Sequence, residues 1–379
     1  MESKRKSTIK RQTGMSLVEL MIAMLIGLLL SAAIITVYLS NKKTFWDTEA
    51  AASLQENSRF AMKLIVNDLR LAGFYGGVDH KNIERDRQAD GAGDVDKNGT
   101  ANDTFDALFV DPVDAKQGIE SCTRNGVETE YEYERSIWIA TVDEPDEDDN
   151  GDGEPDGTFD DDDLPSGLPD CLDGKDIRAF ANQVGSTVLF VKHTEPQPTT
   201  TADGNKTYII SSLDNAGHIY GRNGANLEDW ASESSRYPDS QAWEYRYHVY
   251  FISKGKDDVF PRLRRMSLKK NRWQVETVAD GIEDMQFEIG LDTDQDGAAE
   301  KYVTPNLVGD TEWEQAVSAK VYILAQATKS DVGFDDKKTY SYAGRDYDPH
   351  STNRHRYHRK LYETTITLFN NQMERIRGL

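Results

Sequence analysis

The sequence predicts an α+β protein, in which a long N-terminal helix precedes a β-rich body that carries acidic loops. Three observations support this prediction. Residues 15–39 form an apolar run, and a second helical pattern continues from it to about residue 72. Beyond residue 80, short segments rich in aromatic and β-branched residues alternate with turns. Three segments in that part share one spacing of Asp, Asn and Gly.

The apolar run is long enough to cross a bilayer as a helix. Basic residues lie before it, so the N-terminus is expected to stay in the cytoplasm while the body is exported. A secretory signal peptide would have a small-residue cleavage site after its apolar run. No such site follows here, because the chain passes through Asn41, Lys42 and Lys43 into the second helical pattern. The apolar run is therefore predicted to be retained.

Glu19 is the one charged residue in this run. A carboxylate inside an apolar span is costly unless a cation pairs with it. Cleavage between Gly14 and Met15 would create such a cation, the new α-amino group, one helical turn from Glu19. The amine of one subunit can also meet the carboxylate of a neighbouring subunit. The alternative is an uncleaved signal anchor in which Glu19 occurs by chance.

The string from Gly14 to Glu19, followed by an apolar run, resembles the type IV prepilin signature. In that family a prepilin peptidase cuts after the glycine and methylates the new N-terminus, and the glutamate aligns subunits during assembly. Met15 stands where Phe is commoner. The resemblance implies a basic leader over residues 1–14, a transmembrane half-helix over 15–40, an amphipathic half-helix over 41–75 and an exported body over 76–379.

The amphipathic half of the helix has one apolar face, made by Ala61, Leu64, Ile65, Leu69 and Ala72, and Gly73 provides its stop. An ordinary amphipathic helix explains this periodicity. The particular residues at the helix end nevertheless resemble PilW-type minor pilins and the related J-type pseudopilins of type II secretion: Gln55, Arg59, Asp68, Leu69, Arg70, Ala72 and Gly73.

Two further regions are similar to PilW-type proteins, namely residues 278–297 and the pair of strands at 316–328 and 361–371. The resemblance weakens between about 80 and 240, and Phe369 replaces an Arg that relatives often carry. It implies a pilin-like layout, with the long helix against antiparallel sheet. The strands predicted from pattern alone are Phe105–Val110, Ser136–Val142, Ser186–His193, Trp243–Ser253, Trp273–Val278, Met285–Leu291, Val317–Ala327 and Leu361–Phe369.

The three acidic segments match the start of an EF-hand-type calcium loop, with oxygen-bearing side chains at positions 1, 3, 5 and 9 and Gly at position 6. Each lacks the glutamate that an EF-hand has at position 12. They are predicted to be shorter Ca²⁺ loops completed from elsewhere, by Asp106 and Asp160 in the first two, or else polar turns. The predicted ligands are Asp94, Asp96, Asn98 and Asn102; Asp148, Asn150, Asp152 and Asp156; and Asp292, Asp294, Asp296 and Glu300.

The net charge of the chain is −22, and the leader, with five basic residues against Glu2, contributes +4 of it. The remaining −26 repels nucleic acid and anionic lipid head groups, and it suits divalent cations or basic partner surfaces. Outside the second acidic segment, residues 143–163 are predicted to be a disordered or solvated acidic insertion. Cys122 and Cys171 are expected to form one disulfide if the body is exported, the alternative being two unpaired thiols.

No nucleotide-binding, hydrolase, metalloprotease or C-x-x-C motif is present, so the chain is predicted not to be an enzyme. His350, His355 and His358 lie among Arg and Lys residues and are interpreted as part of a basic surface loop.

The resemblance implies a minor pilin of a type IV pilus, held in the inner membrane with its body in the periplasm and later present in the fibre. The implied partners are other minor and major pilins, the prepilin peptidase and the inner-membrane assembly platform. Two other classes remain: a J-type pseudopilin of type II secretion, and a calcium-dependent adhesin displayed on a pilin anchor.

Overall fold

The structure, a computed structural model, describes residues 16–77, 136–141, 187–199, 206–212, 215–220, 241–253, 260–269, 272–351 and 354–370. The chain divides into two compact units, Met1–Ala52 and Ser53–Leu379. The predicted strand at Phe105–Val110 and the acidic segment at 143–163 lie outside the described residues.

One helix and thirteen strands make up the regular structure of the described residues, with two short 3₁₀ helices at Pro305–Leu307 and Asp310–Gln315. The helix, α1, spans Leu17–Leu71. The strands are β1 (Ile137–Thr141), β2 (Thr187–Thr194), β3 (Thr207–Ser212), β4 (Asn215–Tyr220), β5 (Gln241–Ser253), β6 (Arg262–Lys269), β7 (Arg272–Asp280), β8 (Ile282–Leu291), β9 (Lys301–Val303), β10 (Ala316–Gln326), β11 (Tyr340–Tyr342), β12 (Arg345–Tyr347) and β13 (Arg359–Thr367).

The second half of α1 belongs to the larger unit and buries the stripe that the sequence predicts. Ala61, Ile65 and Leu69 are at most 1% exposed and share one hydrophobic cluster with the sheets. The helix stops as predicted at Gly73, which has a φ of +76° that a residue with a Cβ rarely adopts. The side-chain amide of Asn370, which follows β13, donates to the carbonyl of Ala72 at 2.8 Å and so satisfies a backbone acceptor just beyond the helix end.

The larger sheet has seven antiparallel strands arranged around the long strand β5. β2 pairs along one edge of β5, and β3 and β6 pair in succession along the other, with β1, β4 and β7 outside them. The alternation in β5 predicts a half-buried strand. From Tyr247 onward the strand is instead buried on both faces, His248 and Tyr250 included.

The smaller sheet has four antiparallel strands in the order β13-β10-β8-β9. Its central strands, β8 and β10, are almost completely buried. One of its faces contributes Phe287, Ile289, Val321 and Ile323 to the cluster that includes α1. The separate β11–β12 hairpin belongs to a second cluster with Tyr322 and Leu324 of β10, which point to the opposite face.

The structure confirms the α+β fold, with a long apolar N-terminal helix and antiparallel sheets against which its second half packs. All seven predicted strands that fall on described residues are present, with ends that differ by a few residues. The other six strands, β3, β4, β6, β9, β11 and β12, were not predicted. In β6, Arg262, Arg264 and Arg265 interrupt the apolar pattern. A register shift between Leu263 and Arg264 disturbs the alternation there.

Candidate functional site

The first half of α1 presents a largely apolar surface, in which Glu19 is the one charged residue up to Leu39. An 18-residue window of the helix has a mean hydropathy of 2.7, and none of its residues is buried. The large side chains from Leu17 to Leu39 are between 45% and 75% exposed. Length and composition are those of a helix that can cross a membrane, and the exposed side chains need a non-aqueous environment.

Glu19 lies in the first turn of this helix and is exposed. The amide groups of a first helical turn point away from the helix without partners, and the dipole there favours an acidic side chain. Gly14 and Met15, the predicted cleavage site, lie outside the described residues. The structure therefore places Glu19 at the start of the apolar helix, where the sequence expects it.

The third acidic segment is the connection between β8 and β9. Asp292, Asp294, Asp296 and Glu300 each offer a carboxylate oxygen, and these four oxygens lie within 4.8 Å of one another. Glu300 donates its amide to the carbonyl of Leu291 at 3.1 Å, which closes the loop onto the strands. Strands flank this loop, in agreement with the conclusion that it is not an EF-hand.

Hydrogen bonds inside the loop hold the carboxylates in this arrangement. The two oxygens of Asp292 accept the amides of Gln295 at 2.6 Å and Gly297 at 3.0 Å. Gly297 has a φ of +91°, which explains why glycine stands at the sixth position. Four converging carboxylates repel one another, and hard oxygen donors of this kind are the ligands that Ca²⁺ takes. The donor set fits Ca²⁺ if backbone carbonyls and water complete it.

The first two acidic segments and both cysteines lie outside the described residues, so their ligand and disulfide roles stay predictions. The residues concerned are Asp94, Asp96, Asn98, Asn102, Asp106, Asp148, Asn150, Asp152, Asp156, Asp160, Cys122 and Cys171.

The predicted basic surface loop around His350, His355 and His358 is only partly a surface. The rings of His350 and His355 stack with centroids 4.7 Å apart, and His350 lies 3.1 Å from a carboxylate oxygen of Asp335. Arg359 departs from the prediction, because its side chain is fully buried and pairs with Glu283. Glu283 lies on β8, two strands away from β13 in the sheet. The sequence around Arg359 therefore does not reveal this pairing.

A cluster of titratable groups was missed by the sequence analysis. Asp68 of α1, His193 of β2 and His248 of β5 come together beneath the helix, all three buried. Asp68 attracted notice only through its family resemblance, and the two histidines lie far apart in sequence on strands. The one signal that could have placed the two histidines on the same side of the sheet was the position of each in the alternation of its strand.

Comparison with known proteins gives matches at both ends of the chain. Residues 249–370 match the family described as Type IV Pilus-assembly protein W. Residues 9–35 match the Prokaryotic N-terminal methylation motif. No curated protein and no solved structure matches the chain.

The matched regions correspond to distinct parts of the fold. The methylation motif covers the start of α1, and the W-type match runs from the middle of β5 to the helix-capping Asn370. It therefore contains the whole four-stranded sheet and the β11–β12 hairpin. These two matches, together with a long apolar helix and antiparallel sheets, support a PilW-type, prepilin-like pilin.

Proposed function

We propose that this protein is a minor pilin that is incorporated into a type IV pilus and helps to start the fibre or to form its tip. The observation that carries the proposal is the apolar helix, exposed along its first half, whose start lies within the methylation motif and whose first turn contains Glu19. Such a surface is covered by lipid before assembly and by the helices of neighbouring subunits afterwards.

In the proposed mechanism, a prepilin peptidase cuts between Gly14 and Met15 and methylates the new N-terminus. The protein is then anchored in the inner membrane with its body in the periplasm. On assembly, Glu19 pairs with the N-terminal amine of a neighbouring major or minor pilin, which compensates a charge that lipid would otherwise surround. The apolar helices bundle, and the body faces outward.

Mass spectrometry of the N-terminus tests the processing step. We expect the protein purified from its membrane to lack residues 1–14 and to carry one methyl group on Met15. A Gly14→Val variant, with a bulky residue at the cleavage point, should keep the leader. An intact, unmethylated N-terminus in the wild-type protein would overturn the proposal.

Replacement of Glu19 tests the assembly step. Glu19→Gln should leave cleavage and membrane anchoring intact and reduce incorporation into fibres at least about tenfold, the equivalent of about 1.4 kcal/mol. Glu49→Gln, another exposed carboxylate of the same helix, is the matched control. Pili per cell and twitching motility are the readouts. Normal fibres with impaired protein secretion would favour the pseudopilin class instead.

We also propose that the β8–β9 loop binds Ca²⁺ as a structural ion. Asp292, Asp294, Asp296 and Glu300 supply four carboxylate oxygens within 4.8 Å of one another, and a Ca²⁺ ion removes their mutual repulsion. With six to eight oxygens needed, the loop carbonyls and water complete the shell, so we expect affinity in the weak range of extracellular modules, about 10⁻⁴–10⁻³ M.

Calorimetry on the full chain in detergent tests this second proposal. A double variant, Asp294→Asn with Asp296→Asn, should remove the heat that belongs to this loop. Asp331→Asn with Asp335→Asn, two carboxylates of another loop, should leave that heat unchanged. Identical titrations for the wild-type protein and the first double variant would exclude the loop as a Ca²⁺ site.

A further inference from the structure

The buried cluster of Asp68, His193 and His248 combines side chains from three separate elements. Asp68 comes from the end of α1, His193 from β2 and His248 from β5, and they are 8%, 2% and 6% exposed. One ligand atom from each residue lies within 4.8 Å of the other two. Carboxylate and imidazole groups are expensive to bury without partners, so this arrangement needs a physical reason.

Asp68 is held as a carboxylate. Nδ1 of His248 lies 2.6 Å from its Oδ2, and the hydroxyl of Tyr250 donates to the same oxygen at 2.5 Å. The second oxygen, Oδ1, faces His193.

His193 is the unusual member of the cluster. Its Nδ1 lies 2.9 Å from the carbonyl oxygen of Thr194, which can only accept a hydrogen bond, so Nδ1 carries a proton. Its Nε2 lies 3.5 Å from Oδ1 of Asp68. Among the described residues, this buried nitrogen has no hydrogen-bond partner. In a neutral ring, the lone pair of Nε2 therefore faces a carboxylate oxygen, and a cation belongs between the two atoms.

The separation of these two atoms fits a metal ion. A zinc ion binds imidazole nitrogen and carboxylate oxygen at about 2.0–2.2 Å, and a tetrahedral angle then places the two ligand atoms about 3.3–3.5 Å apart. The observed 3.5 Å between Nε2 of His193 and Oδ1 of Asp68 lies in this range. A pocket of about 560 Å³, lined by all three residues, gives the ion a path and room for a water ligand.

We propose that Asp68, His193 and His248 form a binding site for a divalent transition metal, with zinc as its best-fitting occupant. Two imidazoles and one carboxylate are borderline donors that suit Zn²⁺ better than Ca²⁺ or Mg²⁺. To join the shell, His248 gives up its hydrogen bond to Asp68 and turns a ring nitrogen to the ion; where Nδ1 becomes the ligand, its proton passes through solvent to Nε2, so the ring stays neutral. Nδ1–H of His193 keeps its bond to Thr194, which orients the ligand ring.

The consequence for the molecule is a clamp between helix and sheet. The ion would join the end of α1 to β2 and β5 of the seven-stranded sheet. In a fibre subunit, the helix is the element that neighbouring subunits hold and the body is the part outside it, so the joint between them bears load. Among the charged side chains that line the pocket, Arg265 is paired with Glu276 and Arg246 with Glu195, so these two arginines leave the charge of Asp68 uncompensated.

The test uses the full chain in detergent, stripped of metal with a chelator and then titrated with Zn²⁺ in excess Ca²⁺ against a competing chelator. We expect one equivalent of tightly bound zinc and a rise in the unfolding temperature on binding. His193→Gln should weaken binding by more than about 100-fold, the upper end of the loss seen when only an outer-shell partner is removed. His350→Gln, at a histidine whose side chain is 45% exposed, should bind as the wild type does.

A second measurement keeps the proposal testable if the His193 variant folds poorly. Co²⁺ bound to the wild-type protein should give the visible absorption bands of a four-coordinate site, and zinc should abolish them at one equivalent. Absence of stoichiometric zinc binding and of these bands would overturn the proposal and leave a proton on His193 as the cation. Unchanged zinc affinity in a folded His193→Gln protein would overturn it as well.

Discussion

The two faces of the four-stranded sheet are both buried, yet they are held by different interactions. One face is apolar and packs into the cluster that contains the second half of α1. The other is covered by the segment that follows β10, including the β11–β12 hairpin, and it is rich in charged and aromatic side chains. The comparison is informative because adjacent residues of one strand, such as Ile323 and Leu324, belong to opposite faces.

On the apolar face, stability follows from area. Phe287, Ile289, Val321 and Ile323 are fully buried, and such side chains contribute about 1.5–3 kcal/mol each when removed from water. An apolar side chain on this face does not require a partner of complementary charge or hydrogen-bonding capacity. Volume and shape are the requirements, and similar apolar side chains can replace one another at modest cost.

On the opposite face, every buried charge is matched. The guanidinium of Arg359 bonds both oxygens of Glu283, at 2.5 and 3.1 Å, and lies 3.4 Å from Asp336. Asp284 accepts a hydrogen bond from the hydroxyl of Tyr342 at 2.6 Å and lies 3.4 Å from Arg345.

The difference shows that burial affects the stability of this body in two ways, one for apolar groups and another for charged groups. Removing charges from water costs several kcal/mol per ion, and the attraction between the ions roughly repays that cost. The ion pairs of this face therefore add little net stability when intact, but the fold loses much stability when one member is removed. We expect them to specify where the hairpin docks, since only one position matches all the charges.

The largest effect should come from Arg359→Leu. Without the guanidinium, the fully buried carboxylate of Glu283 loses its main partner, and we expect a loss of about 3–5 kcal/mol in the free energy of unfolding. Arg262→Leu, which breaks a partly exposed pair with Asp280, should cost only about 0–1 kcal/mol. Denaturant titration of the full chain in detergent measures both. A small effect for Arg359→Leu would mean that water reaches Glu283.

A second test compares neighbouring apolar residues on the two faces. Ile323→Ala and Leu324→Ala should each cost about 2–4 kcal/mol, because both side chains are fully buried. If the hairpin did not cover its face, Leu324 would be exposed to water and its replacement would cost less than about 0.5 kcal/mol. Equal losses in denaturant titration would confirm that the hairpin docks as described, and a much smaller loss for Leu324→Ala would contradict it.

The sequence predicts the apolar face of the smaller sheet and not the polar one. Alternation of Met285, Phe287, Ile289 and Leu291 indicates a strand with one apolar side. The intervening Asp284, Gln286 and Glu288 are what a solvent-facing side would also carry. Whether water or a hairpin covers that side depends on partners more than fifty residues away, such as Tyr342 and Arg359, and no local pattern encodes that pairing.

The same limit applies to the candidate sites. Glu19 and the β8–β9 loop are encoded in a few consecutive residues, so spacing alone located them. The cluster of Asp68, His193 and His248 depends on strand register across the larger sheet, where Val191 pairs with His248 and His193 with Arg246. Register is a tertiary property, set by the whole hydrophobic pattern and the turns.

Tyr342→Phe should have a smaller effect than either core replacement. It keeps the ring against Tyr322 and removes only the hydroxyl that donates to Asp284. A hydrogen bond to a buried charged group contributes about 1.5–3 kcal/mol, and Gln286 and Arg345 remain as partners of Asp284, so we expect a loss near 1.5 kcal/mol. A loss as large as that of Arg359→Leu would show that the hydroxyl of Tyr342 contributes as much to the stability of this face as the ion pair does.

The smallest effect should be a change in alkaline stability. Burial and the charge of Asp284 raise the pKa of Tyr342 well above the value of about 10 that it has in the unfolded chain. The stability linked to this tyrosine is therefore complete below pH 10 and is lost as pH rises from about 10 towards the folded pKa, because the unfolded chain releases its proton first.

Tyr342→Phe should make the decline above pH 10 shallower by up to about 1.4 kcal/mol per pH unit. Burial also raises the pKa values of Tyr245 and Tyr250, so these residues contribute to the decline of stability with pH, and part of that decline remains in the variant. Identical slopes for wild type and variant, in unfolding titrations from pH 9 to 11, would show that Tyr342 ionises as readily in the folded protein as in the unfolded chain, and that this face of the sheet is open to water.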